Sequence, residues 1–163
     1  MIATNRRRAG IVLVVGLAAA VVGVAAAAEP AVHVFDAWAR ATPPGAENGA
    51  VYLKIMNHGA GDRLVGARTS AAHTAELHTS ATRDGVVEMR RIDALPIDAG
   101  ATVQLAPGGT HVMLVGLASP LQAGAHLALV LLFANAGEVV VDVAVVDARG
   151  PPAAGAGHEH HAP

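Results

Sequence analysis

The sequence predicts one all-β domain, an antiparallel β-sandwich or Greek-key barrel. Three observations predict it. Valine and leucine are abundant, turn residues recur at short intervals, and no long stretch carries the 3.6-residue apolar period of a helix. A chain of 163 residues has room for one folded domain and little else. With 53% hydrophobic and 15% charged residues it can pack a core rather than remain a disordered polymer. Its aromatics are Phe35, Trp38, Tyr52 and Phe133 alone, so that core must be built mainly from Val, Leu, Ile and Ala.

The strands follow from the breaks between them. Val32–Arg40 ends ahead of Pro43-Pro44-Gly45, and Ala50–Met56 runs into the turn Asn57-His58-Gly59. Asp62–Ala67 comes next. Ala75–Thr79 and Val86–Ile92 flank Asp84-Gly85, the strongest hairpin signal in the chain. Thr102–Leu105 stops at Pro107-Gly108-Gly109, and His111–Leu117 stops before Pro120. Leu127–Ala134 is almost continuously apolar, which predicts a central strand buried on both faces. Glu138–Val146 follows Asn135-Ala136-Gly137, the second hairpin signal, and Asp142 interrupts its apolar run. Neither an internal repeat nor a second domain is visible.

The two ends read differently. Residues 1–28 have the order of a secretory signal: Arg6-Arg7-Arg8, the apolar run Ile11–Val24, then the small residues Ala25–Ala28. Cleavage is expected after Ala28; an uncleaved anchor is the alternative, because Ala9–Ala28 holds twenty uncharged residues. Residues 29–149 form the folded domain. Residues 150–163 are Pro, Gly and Ala with His158, Glu159, His160 and His161, and are expected to be disordered. Without the leader the chain is mildly acidic and keeps all nine histidines with Met56, Met89 and Met113.

Composition removes whole classes of function. The chain has no cysteine, so disulfides, thiolate zinc sites, iron–sulfur clusters, type-1 copper centres and Cys nucleophiles are excluded. A net charge of −2 gives no case for nucleic-acid binding. No G-x-S-x-G, H-E-x-x-H, phosphate loop or strand–helix GxGxxG is present, which points away from an enzyme.

The candidate chemistry lies in His78, Met89, His111 and Met113. His111 and Met113, two apart on a strand, share a face. If Asp84-Gly85 is the loop, Arg83 pairs with Val86, His78 faces Arg91, and Met89 is the diagonal neighbour of His78 on the same face. A strand methionine ordinarily fills core, and a strand histidine ordinarily sits at the surface. Two imidazoles with two thioethers, however, form a neutral donor set whose soft sulfurs favour Cu(I). Neither donor is lost to disulfide formation in an oxidising compartment.

The spacing His-x10-Met-x21-His-x-Met resembles the signature of the periplasmic copper chaperones called PCuAC, with no departure in this chain. The segments Asp36–Gly45, Asn48–Tyr52, Glu76–His78 and Pro107–Met113 are also similar to that family, so the likeness covers nearly all of the folded domain. The resemblance implies a cupredoxin-like β-sandwich holding one Cu(I) through those four residues. It also implies a periplasmic protein that delivers copper to the copper-bearing subunit of cytochrome c oxidase, with Sco-type chaperones as fellow workers; a monomer is expected. A copper-sequestering or resistance protein would use the same ligands without an acceptor. A non-metal exported binding domain is a further alternative.

Other residues are expected to play lesser parts. His158, His160 and His161 could form a second site for Cu(II), which prefers nitrogen and oxygen donors. His33, His58, His73 and His126 read as non-ligands, Met56 as core, and Asp36 and Arg40 as structural. Trp38 packs either beneath the sandwich or near the site. Alanine at His111 or Met113 is expected to weaken Cu(I) binding without unfolding the domain.

Overall fold

A computed structural model describes residues 31–147. The expected leader, residues 1–28, and the His-rich tail with His158, His160 and His161 lie outside the described residues. Ten strands and no helix are formed among them: β1 Val32–Arg40, β2 Asn48–Asn57, β3 Asp62–Arg68, β4 Ala72–Arg83, β5 Val86–Arg91, β6 Leu95–Ile97, β7 Thr102–Leu105, β8 Thr110–Leu117, β9 His126–Phe133 and β10 Gly137–Val146. Nine match sequence expectations to within a few residues at each end; β6, three residues long, was not anticipated.

Seven strands close a barrel in the order β4-β8-β2-β1-β10-β9-β3, and β3 returns to β4 through Ala67 opposite Ala75. One seam departs from the expected antiparallel pattern: β1 and β10 run parallel, with Trp38 opposite Ala144 and Arg40 opposite Val146. The first and last strands thus lock each other. The short strands fill leftover edges, β7 along the second half of β2 and β6 along the start of β3. β4 outruns the barrel wall, and its far end pairs with β5 to form a protruding arm.

Alternation along the strands separates inside from outside. Val51, Leu53, Ile55, Leu77, Val112, Leu114, Leu129 and Leu131 point inward and are 3% exposed or less. The expectation that the Leu127–Ala134 segment is buried on both faces is not met. Leu127, Leu129, Leu131 and Phe133 are buried, while His126 and Ala128 are exposed and Val130 and Leu132 half-buried, because a barrel wall has only one inner face. Met56 is likewise not core. It lies on the outer side of β2, half-buried, between the inward Ile55 and Asn57. Asp142 resolves as an outward residue paired with His126 at 2.7 Å.

Turn chemistry fixes the registers. Asp84 and Gly85 both have positive φ, 51° and 78°, the conformation of a two-residue type I′ turn, which matches the twist of the strands it joins. The loop before Gly137 is capped by Asp62, whose buried carboxylate accepts the N–H groups of Arg63, Asn135 and Ala136 at 2.7–2.9 Å. Burial pushes this carboxyl up, but the backbone donors outweigh it and hold the group below its ordinary value. Fully buried Asn57 performs the same service opposite, donating to the carbonyls of Ala60, Ile97 and Asp98 and accepting from the Gly59 N–H.

Candidate metal centre

Three pairings assemble the outer face of the β4–β8–β2 wall. The β4–β5 register sets His78 opposite Arg91 and Ser80 opposite Met89, as the Asp-Gly turn predicts. The β4–β8 register sets His78 opposite His111 and Glu76 opposite Met113. The β2–β8 register sets Ala50 opposite Met113. Residues directly opposite share a face, so Glu76, His78, Met89, Arg91, His111 and Met113 all lie on the outside of the wall. His78 is the hub. His111 is its direct partner, Met113 its diagonal neighbour toward Glu76, and Met89 its diagonal neighbour toward the turn. Diagonal positions are about 7–8 Å apart at the backbone, within reach of a methionine side chain.

The two imidazoles are oriented from opposite ends. Their ring centroids are 6.1 Å apart. His111 Nδ1 stands 3.0 Å from the Gly109 carbonyl, to which it donates, and that leaves Nε2 as the lone-pair nitrogen. His78 Nε2 stands 3.0 Å from Glu76 Oε2, and His78 Nδ1 is cut off from water with no hydrogen-bond partner. Buried polar atoms are nearly always paired. An orphaned ring nitrogen on a residue whose sheet neighbours include a second imidazole and two thioethers is the arrangement expected of a ligand atom. The hydrogen bond from His78 lowers the pKa of Glu76; partial desolvation opposes it, and the charge of Arg91, 3.5 Å away, adds to the lowering.

An aromatic bracket supports His111. Trp38 lies opposite Tyr52 with ring centroids 4.5 Å apart, and Tyr52 lies 6.1 Å from His111. The bracket leaves His111 only 4% exposed although it points outward. Trp38 therefore packs near the site rather than beneath the fold. The four candidate donors are graded in exposure: His111 is buried, His78 and Met113 are half-buried, and Met89 on the arm is 51% exposed.

The remaining histidines stand apart. His33 stacks on Phe35, His58 is exposed in its turn, and His126 pairs with Asp142. His73, odd-numbered where His78 is even, faces the other way along β4 and is exposed. Asp36 holds Lys54 at a bulge where its φ is 52°. Glu76, Arg91 and Tyr52 had no functional part in the sequence reading. For Glu76 the signal was present, since it sits two residues before His78 and so shares its face. Among the described residues no group of three or more His, Cys, Asp or Glu is arranged to hold a metal.

The architecture is that of a cupredoxin-like barrel with a His- and Met-bearing outer face. Residues 32–145 match the family model LpqE-like, described as "Putative lipoprotein LpqE-like", and the chain belongs to that family. A protein of Leifsonia xyli named "Putative lipoprotein Lxx21020" is 38% identical over 121 residues, 73% of this chain and 72% of that protein. The copper-bound PCuAC domain from PmoF2 superposes with a TM-score of 0.62 at 28% identity, over 72% of this chain and 93% of that domain. The Cu(I) form of DR1885 from Deinococcus radiodurans has a TM-score of 0.56 at 32% identity, covering 68% and 74%.

Proposed function

We propose that this protein is a periplasmic copper metallochaperone that binds one Cu(I) through His78, Met89, His111 and Met113. It releases the ion to the copper centres of cytochrome c oxidase. The observation that carries the reading is the outward-facing cluster around His78, in which a solvent-shielded ring nitrogen lacks any partner while a second imidazole and two thioethers are its sheet neighbours. The likeness to the copper-bound PCuAC domain from PmoF2 and to the Cu(I) form of DR1885 supports the choice of metal. Soft, neutral donors suit a d¹⁰ ion, and their modest individual bonds suit cargo that must leave.

The gradient of exposure suggests an order of exchange. Met89, on an arm outside the barrel, is the donor an incoming ligand can replace first, whereas His111 is held by Gly109 and the aromatic bracket. Acceptors of the oxidase type and Sco-type helpers belong to this reading.

Anaerobic Cu(I) titration with X-ray absorption tests it. One equivalent bound with both sulfur and nitrogen scatterers is expected; an oxygen-and-nitrogen shell, or no binding above that of a His78→Ala/His111→Ala variant, would sink it. Transfer of the ion to a copper-free oxidase domain separates a carrier from a sequestering protein, which would retain it.

A further inference from the structure

We propose that Glu76 is a positioning residue for copper: its carboxylate accepts the His78 Nε2–H and thereby presents Nδ1 as the ligating nitrogen. The inference rests on the proposed role of His78 as a ligand. A neutral imidazole carries one proton, and whichever nitrogen lacks it is the donor atom for a metal. A carboxylate can only accept, so Glu76 Oε2 at 3.0 Å from Nε2 requires the proton there. The nitrogen left bare is Nδ1, the same atom that is shielded from water and has no other partner. The two histidines therefore use opposite ring atoms, since the Gly109 carbonyl holds the proton of His111 on Nδ1.

Glu76 is itself held. It lies opposite Met113 in the ladder, and its second oxygen is 3.5 Å from Arg91 Nη1. With one oxygen engaged by His78 and the other by Arg91, the carboxylate is withheld from the metal. The donor set stays soft, although a hard ligand stands two residues away from a copper-binding imidazole. Carboxylate partners of metal-ligating histidines typically change affinity by about 10–100-fold when removed.

The test uses the full chain without copper and then with Cu(I). Nitrogen-15 NMR of the histidine rings is expected to show His78 protonated at Nε2; a proton on Nδ1 overturns the proposal. Glu76→Gln, whose amide can donate as well as accept, is expected to mix the two tautomers and weaken Cu(I) binding at least about tenfold in anaerobic chelator competition. His78→Ala sets the reference, and Glu76→Gln is expected to add no further loss in that background. If His78→Ala weakens binding but Glu76→Gln leaves affinity and tautomer unchanged, the positioning role fails while the ligand set stands. If His78→Ala has no effect on Cu(I) affinity, the ligand set fails and the role of Glu76 falls with it.

Discussion

His111 and Met89 are the most buried and the most exposed of the four proposed donors, and their substitution should separate packing from ligation. His111 is 4% exposed, donates to the Gly109 carbonyl and sits against Tyr52. His111→Ala removes a buried ring, leaves a space beneath the Trp38–Tyr52 bracket and takes away one of the two donors to the Gly109 carbonyl, which keeps the Ser80 N–H. A large-to-small change at a packed site costs about 2–4 kcal/mol, and a lost hydrogen bond about 1 kcal/mol within it. For a domain of this size that corresponds to a fall in Tm of about 10 °C. The sequence-based expectation that alanine here does not unfold the domain gains a stability cost, because a residue that points outward can still be covered by its neighbours. Met89 is 51% exposed on the arm, so Met89→Leu should change stability by less than about 0.5 kcal/mol. Removing its sulfur should still weaken Cu(I) binding by about tenfold or more. Urea denaturation of the copper-free variants gives the first quantity and chelator competition the second. Wild-type stability in His111→Ala would refute the packing argument, and wild-type Cu(I) affinity in Met89→Leu would refute the ligand assignment.

Two further outcomes are expected. The folded-state pKa of Asp62 lies below its ordinary value of 3.8, so its stabilisation is complete above that value and is lost as the pH falls through the lower one. Asp62→Asn should therefore cost about 2 kcal/mol at pH 7 by urea denaturation. The gap should narrow below pH 3.8, and a pH-independent difference would contradict the backbone-capping role. Deleting residues 150–163 should lower Cu(II) stoichiometry at neutral pH while leaving Cu(I) stoichiometry at one. Unchanged Cu(II) uptake would remove the tail as a second site.

The local parts of this fold were legible because their causes are local. Asp84-Gly85 set the β4–β5 register to the residue, since a two-residue turn with positive φ at both positions admits one pairing. The shared face of His111 and Met113 followed from the period of two. Strand β6 escaped notice because three residues with a proline carry no periodic signal.

The sequence by itself determined that this is an all-β domain without thiols, that its candidate ligands are His and Met, and that each of the two candidate pairs shares a face. Only the tertiary structure decided that the pairs meet, because the β4–β8 ladder joins segments some thirty residues apart and depends on the closure of the whole barrel. It also decided that His111 is buried, that Glu76 holds His78, and that β1 runs parallel to β10. Alternation states which way a side chain points. What covers it depends on strands brought alongside by folding, and no local pattern records that.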